Sequence, residues 1–168
     1  MSLGMYAASS PVLLKMLGNV LNWLEAAKAH AEQKKFETSV YLGLRLAPDM
    51  LPFARQIQIA SDIAKGCAAR LAGIEAPRWE DNEASLDELV ARVRRTIDFV
   101  ASVPAAQIDG SESRAIEIPM RGGESLQFKG EDYLRFFAMP NFYFHVTTTY
   151  ALLRHAGVNL GKRDYLGG

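Results

Sequence analysis

One stretch near the end of the chain combines a histidine with other polar side chains at helical spacing. Asn141, His145 and Thr148 recur at intervals of four and three residues, so they share one stripe of a helix. Histidine is the usual proton shuttle and metal ligand in proteins. The stripe therefore has two interpretations, a structural histidine hydrogen-bonded across helices or a histidine that contacts a ligand. Its apolar neighbours predict that the ring is at least partly buried: Phe142, Phe144, Val146, Tyr150 and Leu153.

A second polar pair lies earlier in the chain. Gln58 and Asp62 are four residues apart, beside an apolar helical seam that includes Ile57. In one interpretation, both are ordinary solvent-facing positions. If they face inward instead, they meet the stripe of His145, because buried polar groups need hydrogen-bond partners. An inward Gln58 is then tied to Asn141 or His145.

Other motifs offer little further chemistry. His145 and His155 are ten residues apart, so on a helix they point roughly 80° away from each other and do not form a metal-binding pair. The single cysteine, Cys67, excludes an intramolecular disulfide and is predicted to be a small buried apolar residue. The basic residues of the third predicted helix are expected to be solvated: Arg92, Arg94 and Arg95.

Composition excludes several partners. The chain has 168 residues with 19 basic and 19 acidic side chains, so neither net charge nor a basic stripe favours nucleic-acid binding. No stretch approaches the roughly 18 apolar residues of a membrane span, and no signal peptide is recognisable. A lone cysteine fits a reducing compartment, so a cytoplasmic protein without membrane association is expected. We expect residues 1–4 to be an expression remnant before a native start at Met5.

The candidate polar residues lie on helices that the spacing of apolar side chains predicts. Apolar side chains at spacings of three and four predict four main helices, bounded by caps, prolines and glycines, over residues 10–30, 48–72, 86–103 and 141–155. Ser9-Ser10-Pro11 is expected to open the first helix, because serine is a good N-cap and proline is tolerated at the first helical position. Ser85 with Glu88 forms a capping box at the third. A further helical segment begins at Gly130, and Pro140 is expected to kink or break it.

The remaining segments have other periods. Alternation on both sides of a turn at residues 121–124 predicts a β-hairpin over residues 114–129, inserted before the last helix. Residues 33–47 are interpreted as an irregular crossover, with a weak strand pattern as the alternative. One all-α four-helix-bundle domain with a small hairpin, spanning residues 1–168, is the predicted fold.

The segment from His145 to Val158 resembles the closing helix of the DinB/YfiT-like superfamily. Its members are four-helix bundles with three metal-binding histidines, one on the second helix and two, four residues apart, on the last. Arg154 and Gly157 stand at the offsets that make His145 the second of that pair. The resemblance then puts Asn141 in the place of the first, and Gln58 in that of the second-helix histidine.

The resemblance covers residues 5–166, and within the superfamily it is to a branch known only as a domain of unknown function. Relatives with the full triad look like metal-dependent enzymes. Asn and Gln amides are weak ligands beside imidazole, so a tight zinc or nickel site is doubtful and a small organic ligand is favoured. The resemblance therefore implies a small-molecule pocket, in an altered or degenerate metal-dependent enzyme, at Gln58, Asn141 and His145. Helical spacing adds Asp62 and Thr148 as candidate ligand-binding residues.

His145 is the candidate catalytic base or metal ligand of that pocket. The alternative is a non-catalytic binding or dimerisation module, in which the polar stripe only fixes the register of the helices. Because members of the superfamily look dimeric, a homodimer is expected under either hypothesis.

Overall fold

The structure, a computed structural model, describes residues 3–120 and 122–168. The elements in chain order are α1 (Met5–Ala8), α2 (Ser10–Lys34), a 3-10 helix (Thr38–Tyr41), α3 (Phe53–Ala72), α4 (Leu86–Ser102), α5 (Ala105–Ile108), β1 (Ala115–Pro119), β2 (Ser125–Lys129), α6 (Gly130–Asp132), a π-helix (Tyr133–Ala138), α7 (Met139–His155) and α8 (Lys162–Leu166). The four long helices α2, α3, α4 and α7 confirm the predicted bundle with its small hairpin.

The core lies between these four helices, with α3 packed on both α7 and α4, and α2 packed on the same two helices. Apolar burial is the main force that joins them. Cys67 is buried in this core as predicted, and burial raises the pKa of its thiol to about 12. No helix in the described residues has the length and apolar character needed to cross a membrane. The largest buried apolar side chains include Trp23, Tyr41, Phe53, Tyr133 and Phe142.

Two helix starts differ from the sequence prediction. The second long helix begins at Phe53 rather than at residue 48, because Pro52 has an extended backbone and a proline is not accepted inside a helix. Ser9 precedes α2, but its hydroxyl donates to the carbonyl oxygens of Met5 and Tyr6 instead of capping α2. The third start is confirmed, since Ser85 and Glu88 form the predicted capping box of α4.

The hairpin is confirmed, with β1 and β2 paired antiparallel and Ile116 opposite Phe128. Arg121, in the predicted turn, lies outside the described residues, as do Met1 and Ser2 of the expected remnant. Residues 35–52 form the predicted irregular crossover with one 3-10 turn and no strand.

Pro140 lies in the first turn of α7 and does not break the chain's helical path. In a regular α-helix the proline ring would clash with the carbonyl four residues earlier. The π-helix directly before Pro140 forms a wider turn there, which relieves this clash. The last helix, α8, was not predicted. It packs on α2, where Trp23 donates a hydrogen bond to the carbonyl of Asp164 and Tyr165 stacks on the Trp23 ring.

Candidate functional site

His145 is held by a buried glutamine of the neighbouring helix. Its side chain on α7 is 7% exposed, and its Nδ1 lies 2.7 Å from Oε1 of Gln56 on α3. The amide nitrogen of Gln56 donates to the carbonyl oxygen of Leu51 at 2.8 Å. The three residues therefore form one hydrogen-bond chain between α7, α3 and the crossover that precedes α3.

This chain determines the tautomer of His145. The Leu51 carbonyl only accepts, so the Gln56 amide presents its NH₂ group to Leu51 and its oxygen to the histidine. Nδ1 of His145 must therefore carry a proton and donate it. Burial lowers the pKa of His145, which keeps the ring neutral near pH 7 and leaves Nε2 with a lone pair.

Nε2 is the available atom of the ring. It makes no hydrogen bond within residues 3–120 and 122–168, and it is not among the fully occluded polar atoms of that part of the chain. A neutral imidazole with one nitrogen fixed by a hydrogen bond and the other free can accept a hydrogen bond or a proton. His145 thus has the local chemistry of a base or of a hydrogen-bond acceptor.

The other members of the predicted stripe lie beside His145 on α7. Asn141 is half-buried, and its side chain makes no hydrogen bond to any other described residue. Thr148 is buried and its hydroxyl donates back to the carbonyl of Phe144 at 2.7 Å. The stripe therefore keeps one amide, Asn141, and one imidazole nitrogen with hydrogen-bonding capacity to spare.

Gln58 and Asp62 lie in a different cluster. Gln58 is buried, but its amide accepts from Arg55 and donates to Glu83, with no bond to His145. Asp62 pairs with Arg92 and Lys65. The structure brings Asn141, His145 and Thr148 together and places Gln58 and Asp62 elsewhere, because positions 56 and 58 of a helix point roughly 160° apart.

Gln56 is the residue that sequence reasoning missed. The pattern that identifies it is its spacing from apolar positions of α3, three residues after Phe53 and four before Ala60. Those positions are buried. A polar residue within an apolar stripe predicts a buried hydrogen bond to another element.

Arg92 corrects another prediction. It was expected to be solvated, yet its side chain is fully buried and forms ion pairs with Asp62, Asp81 and Glu83 at 2.8–2.9 Å. Lys and Arg are fully buried only when they are paired. Its neighbours in the sequence, Arg94 and Arg95, are exposed as expected.

An open groove of about 480 Å³ adjoins the His145 stripe at Thr148, which lines the groove, whereas His145 and Asn141 do not. It lies between α7 and the crossover, and Met50 in its wall directly precedes Leu51, whose carbonyl is held by Gln56. None of its lining side chains is charged: Leu46, Met50, Tyr143, Phe144, Thr147, Thr148 and Ala151. Such a lining favours an uncharged ligand with an apolar body.

The donors around His145 do not fit the metal site that the superfamily implies. His145 supplies one imidazole, its hydrogen-bond partner is the amide of Gln56, and Asn141 lies one helical turn earlier on α7. Zinc and nickel prefer several imidazole, thiolate or carboxylate ligands. Within the described residues no three such side chains are grouped to hold a metal ion.

The fold and this site define a DinB-like helical bundle. A crystal structure of a DinB family member protein from Shewanella denitrificans is similar to this chain, with a TM-score of 0.88 and 37% sequence identity, and the match covers 97% of this chain and 92% of that one. The family model described as "Domain of unknown function (DUF1993)" matches residues 5–166. The chain belongs to that family. No curated protein matches it.

Proposed function

We propose that this DinB-like protein binds a small uncharged organic ligand at the groove beside His145, and that Nε2 of His145 accepts a hydrogen bond or proton from it. The observation that carries this proposal is the chain from Leu51 through Gln56 to His145. A purely structural histidine needs no fixed tautomer with a free acceptor. A histidine that recognises a hydroxyl or thiol group needs both.

The side chains of the groove favour an uncharged ligand with an apolar body. By helical geometry Asn141 and Thr148 lie on α7 between His145 and the exposed Phe144 at the groove. An apolar or aromatic body fits the side chains of the groove, and a hydroxyl or thiol fits Nε2. The spare amide of Asn141 offers a second hydrogen bond.

The proposal is tested by NMR on uniformly ¹⁵N-labelled protein, in which the histidine ring nitrogens and the backbone amides are both observed. We expect His145 to carry its proton on Nδ1 near pH 7. Neutral aromatic and aliphatic alcohols and thiols should shift its Nε2 resonance and the amides of Phe144 and Thr148, saturably. His145→Phe should weaken binding at least about tenfold, which corresponds to about 1.4 kcal/mol.

The matched control is His155→Phe, because His155 is exposed on the same helix. This variant should bind the same compounds as the wild type. A proton found on Nε2 instead of Nδ1 would remove the acceptor on which the proposal rests. Equal binding by the wild type and His145→Phe would show that ligand binding at the groove does not involve the histidine.

The second candidate is the dimerisation module. It is favoured by the exposure of large apolar side chains at the same groove, where Phe144 is 56% and Leu46 is 46% exposed. In that case a second copy of the chain covers the groove and the His145–Gln56 pair fixes how α3 and α7 pack.

Solution mass distinguishes the two candidates. A homodimer through the groove should dissociate at least about tenfold more readily in Phe144→Ser. Phe136→Ser is the control, because Phe136 is equally apolar and 65% exposed but does not line the groove. A monomer at high concentration in the wild type would exclude the dimer and leave the groove open to a small molecule.

A further inference from the structure

A buried guanidinium on α4 is held mainly by a segment without secondary structure. Two of the three carboxylates paired with Arg92 belong to the loop between α3 and α4, Asp81 at 2.8 Å and Glu83 at 2.9 Å. The carbonyl oxygen of Glu80 accepts a further hydrogen bond from Arg92 at 3.0 Å. We call residues 74–85, which carry these groups, the acidic strap.

The acidic strap has no apolar anchor in the core. None of its residues is buried. Besides the ion pairs, it is fastened by Trp79, whose ring has the Lys65 ammonium on it at 4.2 Å and the Arg95 guanidinium at 4.2 Å from its centre. The strap is therefore attached to α3 and α4 by ion pairs and by cation–ring contacts. Another anion can compete with the carboxylates of the strap for the same cations.

The strap covers a basic face of α4 formed by Arg92 and Arg95, and it does not provide partners for all of their hydrogen-bond donors. Nε of Arg92 is fully occluded and has no hydrogen-bond partner in the described residues. A buried donor without a partner destabilises the folded state. Arg95 has no carboxylate within ion-pair distance in that same part of the chain. The strap thus leaves cationic capacity unused on α4.

A hollow of about 360 Å³ opens at the end of the strap, and both Arg92 and Arg95 line it. Two carboxylates also line it, but both are engaged. Glu83 pairs with Arg92 and accepts from Gln58, while Glu88 accepts from the backbone N–H groups at the start of α4. The remaining lining residues are Asn82 and Ala91.

We propose that this hollow is a binding site for a multivalent oxyanion, and that the acidic strap holds the site closed with carboxylates that the anion replaces on Arg92, while Arg95 supplies a second guanidinium for the anion. Guanidinium groups bind carboxylate and phosphate oxygens in the same bidentate geometry. Anion binding releases Asp81 and Glu83, so the strap and Trp79 move away from the basic face.

Protonation alone does not open the strap near neutral pH. Partial burial would raise the pKa of Asp81, but the hydrogen bond from Arg55 and the charge of Arg92 lower it overall. For Glu83 too, hydrogen bonds from Arg92 and Gln58 outweigh burial and lower the pKa. On the side of α3 and α4 the facing charged groups are Arg55, Asp62, Lys65, Glu88, Arg92 and Arg95.

The two tryptophans of the chain provide the test. In protein labelled with 5-fluorotryptophan, inorganic pyrophosphate added at constant ionic strength should shift the ¹⁹F resonance of Trp79 saturably. The resonance of Trp23, which is fully buried under α8, should stay in place. Sodium chloride at the same ionic strength should give a much smaller shift of Trp79.

Variants separate the strap from the anion site. Glu83→Gln should move the Trp79 resonance toward the released position without anion. Glu75→Gln is the matched control, because among the described residues Glu75 pairs with the exposed Arg78 of the strap and not with α3 or α4. Arg95→Gln should weaken the pyrophosphate affinity at least about tenfold. Equal shifts by pyrophosphate and chloride, or unchanged affinity in Arg95→Gln, would overturn the proposal.

Discussion

The two sides of α3 solve the burial of polar groups in opposite ways. Toward α7, Gln56 meets His145 in a neutral hydrogen-bonded pair. Toward α4, Gln58 bonds to Glu83 at the edge of an ionic cluster centred on Arg92. The two glutamines are two residues apart in the sequence.

The difference shows what each side can respond to. The neutral pair is satisfied by a short chain of directed hydrogen bonds, so it depends on shape and on the protonation of one ring. The ionic cluster combines a buried cation with carboxylates on a loop, so it depends on the balance of charges. Both proposals follow from this contrast, an uncharged ligand on one side and an anion on the other.

Removing the buried cation should have the largest effect. In Arg92→Met three carboxylates lose their common partner, which typically costs about 3–5 kcal/mol. We expect the lower end, because Asp62 and Asp81 keep 41% and 33% of their side-chain exposure. Urea unfolding near pH 7 measures it. Arg94→Met, exposed on the same helix, should change stability by less than about 0.5 kcal/mol.

Breaking the neutral pair should have the next largest effect. Gln56→Leu leaves the N–H of His145 and the carbonyl of Leu51 without partners, at a cost of about 1–3 kcal/mol. Combining it with His145→Phe should cost less than the sum of the two single changes, since the second orphaned group is then removed. Additive losses in urea unfolding would show that the two residues do not depend on each other.

The smallest expected effect is on the pH dependence of stability, which should differ between the His145 side and the Arg92 side of α3. Burial lowers the pKa of His145 below its ordinary 6.5, so protons favour the unfolded chain as the pH falls below 6.5, and stability is lost until the folded pKa is passed. His145→Phe should flatten that part of the curve.

The ionic side should respond only at lower pH. The pKa values of Asp81 and Glu83 are lowered from 3.8 and 4.5, so their contribution is present above those values and is lost as the pH falls through the folded pKa. Glu83→Gln should reduce that loss and leave the region near pH 6 unchanged. A single transition shared by both variants would contradict the separation of the two sides.

Local patterns predicted most of the fold. The capping box of Ser85 and Glu88 and the hairpin over 114–129 rest on interactions between residues close in the sequence, so they were predictable. The start of α3 was misplaced because Pro48 and Pro52 both permit a helix start, and the prediction took the earlier one. Helix α8 was missed because its stability comes from contacts with Trp23, over a hundred residues away.

The site was predicted only in part for a related reason. His145 was identified by its place in an apolar stripe, but its partner was sought at Gln58 instead of Gln56. That choice came from the spacing of Gln58 and Asp62 beside the apolar seam, and the resemblance to relatives with a histidine triad supported it. The helical phase of α3, with Gln56 on the line of Phe53 and Ala60, was the better guide.

The sequence by itself determined the existence of the four long helices, the hairpin and the burial of His145 and Cys67, because periodicity and capping are encoded by neighbouring residues. Only the tertiary structure decided which polar groups meet. It pairs His145 with Gln56 and buries Arg92 under a loop more charged than apolar. Partners for buried polar groups come from distant segments, and a rotation of roughly 100° per residue along α3 separates two sites that the sequence places side by side.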